Sequence, residues 1–130
     1  MKAVAALRSI LLADADVTAK RAGGVHVNAV PQDEAVPNVS LMLVSGLEDF
    51  THSGPSGLVE DRVRIWCRGK TANASVELAQ AVHAALQGYV GTVAGCHIQL
   101  CRMAMTISDY QDAAKVHRVI IDFNVSWGAE

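Results

Sequence analysis

Two stretches of this chain alternate apolar and polar residues over most of their length, and that pattern points to one local structure. Between Leu58 and Arg68, the side chains of Val59, Val63, Ile65 and Cys67 fall on one side and those of Glu60, Arg62, Arg64, Trp66 and Arg68 on the other. Between Val116 and Trp127, the apolar set is Val119, Ile121, Phe123, Val125 and Trp127, opposed by Arg118, Asp122, Asn124 and Ser126. A period of two held this long means an extended strand with one buried and one wet face, each strand spanning roughly 35 Å at its ordinary rise. A chain with two such strands must build a sheet and must cover one face of it.

The remaining segments supply the cover and the other strands. Ala3, Leu7, Ile10 and Leu11 recur at helical spacing, which predicts a short amphipathic helix from Ala3 to Leu12. A second helix is predicted after a cap at Thr71 or Asn73, with apolar positions Val76, Leu78, Ala79, Val82, Ala85 and Leu86 and a stop at Gly88 or Gly91. Gly23-Gly24 breaks the chain before a short strand at Val25 and Val27, extending toward Val30. The segment bracketed by Pro31 and Pro37 is expected to be a surface loop. Val39 to Leu47 is apolar on both alternating sides, as for a strand covered on both faces. Cys96 to Ile107 is a further strand whose apolar positions change side near Cys101, which calls for a bulge there or for two covered faces. Glu48 to Gly57 and Ser108 to Lys115 are polar and are expected to be connections.

The order helix, strand, strand, strand, helix, strand, strand predicts an α+β domain. Its sheet is antiparallel-rich, of about four to five strands, and at least one of the two helices packs on a sheet face. With no repeat, low-complexity tract or linker, residues 1–130 are expected to form one domain.

Composition limits the function. Apolar residues make up 51% of the chain and aromatics 5%, so the core must rest on aliphatic side chains. Eleven basic against thirteen acidic residues leave a net charge of −2, which is not the balance of a dedicated nucleic-acid binder. Cys67, Cys96 and Cys101 contain no CxxC and are read as small buried hydrophobes of a reducing compartment. Arg8 interrupts the apolar start too early for a signal peptide, and no stretch reaches the ~20 apolar residues of a membrane span, so a soluble protein made inside the cell is expected.

No motif carries a reaction. His97 and His117 lie on strands that pair far from each other along the ladder, and His26, His52 and His83 have no ligand partner at metal-binding spacing. Ser53-Gly54-Pro55-Ser56-Gly57 lacks the strand-to-helix setting of a nucleophile elbow. Arg68-Gly69-Lys70-Thr71 ends like a phosphate loop but lacks its first glycine. Among acid/base pairs only Asp49 and His52 merit a test. The stripe Arg62, Arg64, Trp66 and Arg68 admits three readings: a solvated face paired with carboxylates of neighbouring strands, a protein interface, or a single-stranded nucleic-acid face.

Several segments together resemble a known family. They are Ser53-Gly54-Pro55-Ser56-Gly57-Leu58 with the strand Val59 to Arg68 after it, and the alanine-rich helix Ser75 to Leu86 with Gly88 behind it. Ala6-Leu7-Arg8, Leu11-Leu12-Ala13-Asp14, Val30-Pro31-Gln32 before Pro37 and the closing strand add to them. This order resembles the tail-completion proteins of long-tailed phages and phage-like gene-transfer particles, also called tail terminators or tail-to-head joining proteins. The chain departs from that pattern at Asn38, where an aromatic is usual, and at Gly24-Val25-His26, which lacks the usual Arg.

The resemblance implies a structural subunit, not an enzyme, and no cofactor or metal. It implies a homo-hexameric ring at the head-proximal end of the virion tail, assembled in the bacterial host cytoplasm without any membrane. The implied partners are the tail tube protein and the head-tail connector or stopper protein, with DNA passing through the ring without specific binding. Glu48, Asp49, Phe50, Thr51, His52, Ser53, Gly54, Pro55 and Ser56 are expected to form a mobile loop that meets a neighbouring subunit or the tube, with Phe50 as its anchor. The runner-up functions are another neck protein, such as a head-completion or stopper subunit, and a small nucleic-acid-binding sheet protein that uses the arginine stripe.

Overall fold

The computed structural model describes residues 2–129, without the side chains of residues 50, 51, 55, 56 and 129. Helix α1 (Lys2–Ala13) buries Ala3, Val4, Ala6, Leu7 and Leu11, the stripe that a 3.6-residue period allows. Asp14 then caps a second short helix, α2 (Ala15–Lys20), by accepting a hydrogen bond from the Val17 amide at 3.0 Å. Helix α3 (Ala72–Leu86) begins at Thr71, whose hydroxyl accepts from the Ala74 amide at 3.0 Å. It ends just before Gly88, which adopts φ +76°, and the Gly88 amide donates to the Cys101 carbonyl.

Six strands form one sheet: β1 (Val25–Val27), β2 (Asn38–Thr51), β3 (Gly54–Gly69), β4 (Gly91–Val93), β5 (Cys96–Gln111) and β6 (Val116–Ala129). Their spatial order is β1-β2-β3-β6-β5-β4. β1 runs parallel to β2, and every other pairing is antiparallel. The long strands β2 and β3 form one hairpin, β5 and β6 another, and β3 joins β6 at the centre.

One face of this sheet carries the core. Val39, Leu41, Val63, Ile65, Cys67, Ile121, Phe123 and Val125 are buried against Leu7 and Leu11 of α1 and Leu78, Val82 and Leu86 of α3. Each large side chain so placed contributes about 1.5–3 kcal/mol through burial. The buried face ends at a polar contact in which Trp127 Nε1 donates to Asp61 Oδ2 at 2.8 Å. Gly46 is paired with Asp61, and a Cβ there would approach Asp61 Oδ1 to 2.6 Å.

The two alternating strands and the two longer helices lie where the sequence places them, but the sheet is larger and mixed. Six strands and three helices replace the expected four to five strands and two helices. The additions are α2, which buries a single residue, Val17, and β4, which is three residues long. Neither is long enough to show a period. β5 changes face as its sequence requires, with register shifts between Ile98 and Leu100 and between Met103 and Met105. β2 is covered on both faces only from Val39 to Leu41. After a register shift between Leu43 and Ser45 its side chains emerge, and Leu47 is 73% exposed.

The two polar connections are also shorter than expected. Strand pairing runs through most of Glu48 to Gly57, leaving only His52 and Ser53 in the turn. Likewise β5 continues to Gln111, and the turn occupies residues 112–115. Pro55 is tolerated in β3 because β6 pairs with β3 only from Leu58 on, so the strand is one-sided at the proline. Gly54 and Gly57, at φ +116° and +85°, take up the bends. Because β3 and β6 are antiparallel, the turn at 52–53 and the turn at 112–115 lie at opposite ends of the sheet.

Candidate functional site

Three surfaces are left uncovered: the sheet face away from the helices, the two sheet edges, and the hairpin arm around residues 48–57.

On the uncovered face the arginine stripe is tied down. Arg62 Nε donates to Asp122 Oδ2 at 2.7 Å, Arg64 Nε to Oδ1 at 2.8 Å and Arg64 Nη2 to Oδ2 at 3.0 Å. Asp122 is fully buried beneath them, whereas the two arginines keep about a third of their side chains in solvent. Burial would push this carboxyl up, but the hydrogen bonds from Arg64 and Arg62, with their charges, hold it below the usual carboxylate range. The same bond raises the Arg64 guanidinium. Arg68 donates to Ser40 Oγ at 2.8 Å and lies 6.0 Å from the Trp66 ring centroid. Its own pKa is lowered by burial and by the neighbouring Arg118 charge. Arg118 in turn makes a two-pronged pair with Asp109, at 2.8 and 2.6 Å, which holds the Asp109 carboxyl low. The stripe therefore follows the cross-strand pairing that alternation alone leaves open. Asp122 is its hub, and the register places Asp122 directly beside Arg64.

The edges come from the shortness of β1 and β4. β1 covers β2 only at Val39–Leu41, and β4 covers β5 only at Cys96–Ile98. Residues 42–51 of β2 and 104–111 of β5 thus have no strand partner on their outer side among the described residues, whereas the β5 edge before them is met by the Gly88 amide at the Cys101 carbonyl and by Gln87 Oε1 at the Met103 amide. Beside the β5 edge, α3 leaves a groove of about 480 Å³ lined by Val76, His83, Met103, Ile107, Val119 and Ile121. Nothing in the sequence reading isolated this groove, because its lining comes from a helix and two strands far apart in the chain.

The arm carries the expected contact residues. Glu48, Asp49, His52 and Ser53 are exposed, and Gly54 lies at the start of β3. The side chains of Phe50, Thr51, Pro55 and Ser56 lie outside the described residues, so the anchor role of Phe50 stays a sequence-based expectation. Asp49 and His52 form no ion pair with each other. His26 instead pairs with Glu34 at 3.0 Å, His97 with Thr92 Oγ1 at 2.9 Å, and the His117 ring lies tilted against that of Tyr110. Among the described residues no three His, Cys, Asp or Glu side chains gather as a metal site. No helix is long and apolar enough to cross a membrane.

Comparison with known proteins agrees with this picture of a structural subunit. A family described as tail completion protein gp17 matches residues 5–126. Among solved structures, a chain from the "Virion of native gene transfer agent (GTA) particle" superposes with a TM-score of 0.74 at 17% identity, over 96% of this chain and 93% of that one. At that identity the likeness concerns the fold. No curated protein sequence matches. Since the family match takes in both long hairpins, α3 and most of α1, the chain belongs to the tail completion protein gp17 family and is a structural protein of a virion tail, not an enzyme.

Proposed function

We propose that the protein forms a closed homo-hexameric ring at the head-proximal end of the tail, where it caps the tail tube and joins it to the head connector or stopper. The observation that carries this reading is the pair of free strand edges on opposite sides of one sheet. A subunit with two different, mutually matching sides joins head to tail and closes by rotation. Family membership over residues 5–126 supports the tail location, and the likeness to a chain of a gene transfer agent virion supports a place within an assembled particle. DNA crosses such a ring without specific binding, in keeping with a net charge of −2 and with arginines held by Asp122 and Asp109.

Electron microscopy of purified tails, with the subunit labelled, tests the reading. One ring at the head-proximal end is the expected result. Label at the distal tip, or none on the particles, would refute it. A strain lacking the gene should build tubes whose length is poorly controlled and which fail to join heads.

A further inference from the structure

We propose that the hairpin arm is a prong of set direction, fixed at its root by a clasp of Gly46, Asp61 and Trp127, and that this clasp governs how well the arm docks on the tail tube protein. The docking half rests on the ring reading and deepens it.

The arm cannot hold a direction by itself. β6 pairs with β3 only from Leu58 onward, so past Glu48 and Leu58 the arm consists of two strands. A bare strand pair is marginal in water. Register shifts at Leu43/Ser45 and Glu48/Phe50 also fall on either side of Gly46 to Glu48, and such irregularities bend and twist the pair. The direction must therefore be set where the arm leaves the wider sheet.

Three contacts meet at that place. Trp127 Nε1 donates to Asp61 Oδ2 at 2.8 Å and ties β6 to β3. Asp61 is 1% exposed and Trp127 8%, so water does not compete for the bond, and breaking it leaves a buried indole N–H without its acceptor. Toward β2, Asp61 is paired with Gly46, where a Cβ would stand 2.6 Å from Asp61 Oδ1. One carboxylate thus reaches the strands on both sides of β3. Further along, Gly57 turns the chain at φ +85°, and its carbonyl oxygen sits where a Cβ on Gly128 would come within 3.3 Å. Gly46 and Gly128 leave room for these close approaches, and the carboxylate–indole bond holds β2, β3 and β6 in one relative placement.

The partner follows from where the arm points. It leaves the sheet lengthwise, with the turn at His52 and Ser53 beyond the part of β3 that β6 covers and away from the two sheet edges. In the ring reading those edges serve neighbouring copies, which leaves the arm for the tube. Fixing a prong before it docks spares the entropy of ordering it on docking.

Spin-label distances test the clasp, and binding to purified tubes tests its use. Labels at His52→Cys on the turn and Gln80→Cys on α3 attach selectively, since Cys67, Cys96 and Cys101 are buried. The otherwise wild-type chain should give one narrow distance distribution. Gly46→Ala displaces the Asp61 carboxylate and Trp127→Phe removes the donor, so each should broaden or shift the distribution. Asp61→Asn still accepts from the indole and should leave it unchanged. Without labels, the first two variants should bind tubes about tenfold more weakly and the third like wild type, while all three keep cooperative melting and ring formation. A broad distribution in the otherwise wild-type chain, or unchanged distances in both clasp variants, would overturn the fixed prong. Asp61→Asn behaving like Trp127→Phe would overturn the hydrogen bond as its cause. Altered distances with unchanged tube binding would overturn the role in docking and leave the ring reading intact. Rings lost together with tube binding, in variants that still melt cooperatively, would overturn the choice of partner. A wild type that neither forms rings nor binds tubes would overturn the ring reading and the docking half with it, and the distances would still decide the clasp.

Discussion

Replacing Asp122 is the sharpest test of how the uncovered face is held. Asp122→Ala removes three charge-assisted hydrogen bonds and leaves Arg62 and Arg64 with no counter-charge beneath them. Stranding the partner of a fully buried ion pair costs about 3–5 kcal/mol. Here the arginines are 37% and 32% exposed and can turn to water, so the expected loss is smaller, about 2–3 kcal/mol. For a chain of this size that lowers the melting temperature by roughly 10 °C. Asp122→Asn keeps the shape and loses the charge, and it should show a further signature. Because the folded-state pKa of Asp122 is depressed, its contribution is present above the ordinary carboxylate pKa and fades as pH falls through the lowered value. The wild type should thus lose stability on acidification more steeply than Asp122→Asn. Thermal unfolding by circular dichroism between pH 7 and pH 3 measures both effects. A change below about 0.5 kcal/mol at pH 7, the range of ordinary surface substitutions, or parallel pH curves would refute the hub role.

Further outcomes follow from local features. Thr71→Ala removes the cap of α3 and should cost about 1 kcal/mol in denaturant unfolding, with m unchanged. The thiols of Cys67 and Cys101 are pushed up to about 12 by burial, so a disulfide reagent at pH 8 should leave both unmodified until the chain is unfolded. Gly23→Ala should destabilise, because the added Cβ would collide with the Ala35 carbonyl oxygen; retained melting temperature would show that the loop before Pro37 yields easily. Phe50→Ala should spare the melting of the free subunit and weaken assembly on purified tubes. A monomer destabilised by ~3–5 kcal/mol would place Phe50 in the core instead.

The legible parts of the sequence were those where two environments differ sharply. Val59 to Arg68 and Val116 to Trp127 alternate because the helices cover one face and solvent meets the other, so the buried face of each could be read. The change of face near Cys101 signalled the bulges of β5. Where both faces are wet the signal vanishes. Glu48 to Gly57 contains no apolar alternation, because the arm extends past the helices, and its strand character comes from backbone pairing alone. β4 has only Val93 to mark it, and α2 only Val17. The arginine stripe was visible, but its partner was not: Asp122 meets Arg62 and Arg64 across a strand pairing that no local spacing encodes. The free edges are equally non-local, since they exist only because β1 and β4 stop after three residues.

The placement of the two turns at opposite ends of the sheet has a consequence for how growth stops. A ring built from such subunits has one rim made of the 52–53 turns, flanked by Glu48 and Asp49, and another made of the 112–115 turns, with Asp112 and Lys115 beside the start of α3. These rims differ in charge and neighbouring elements, so the two faces of such a ring offer different surfaces, one to the tube and one away from it. Growth stops where the outward face does not match the next tube layer.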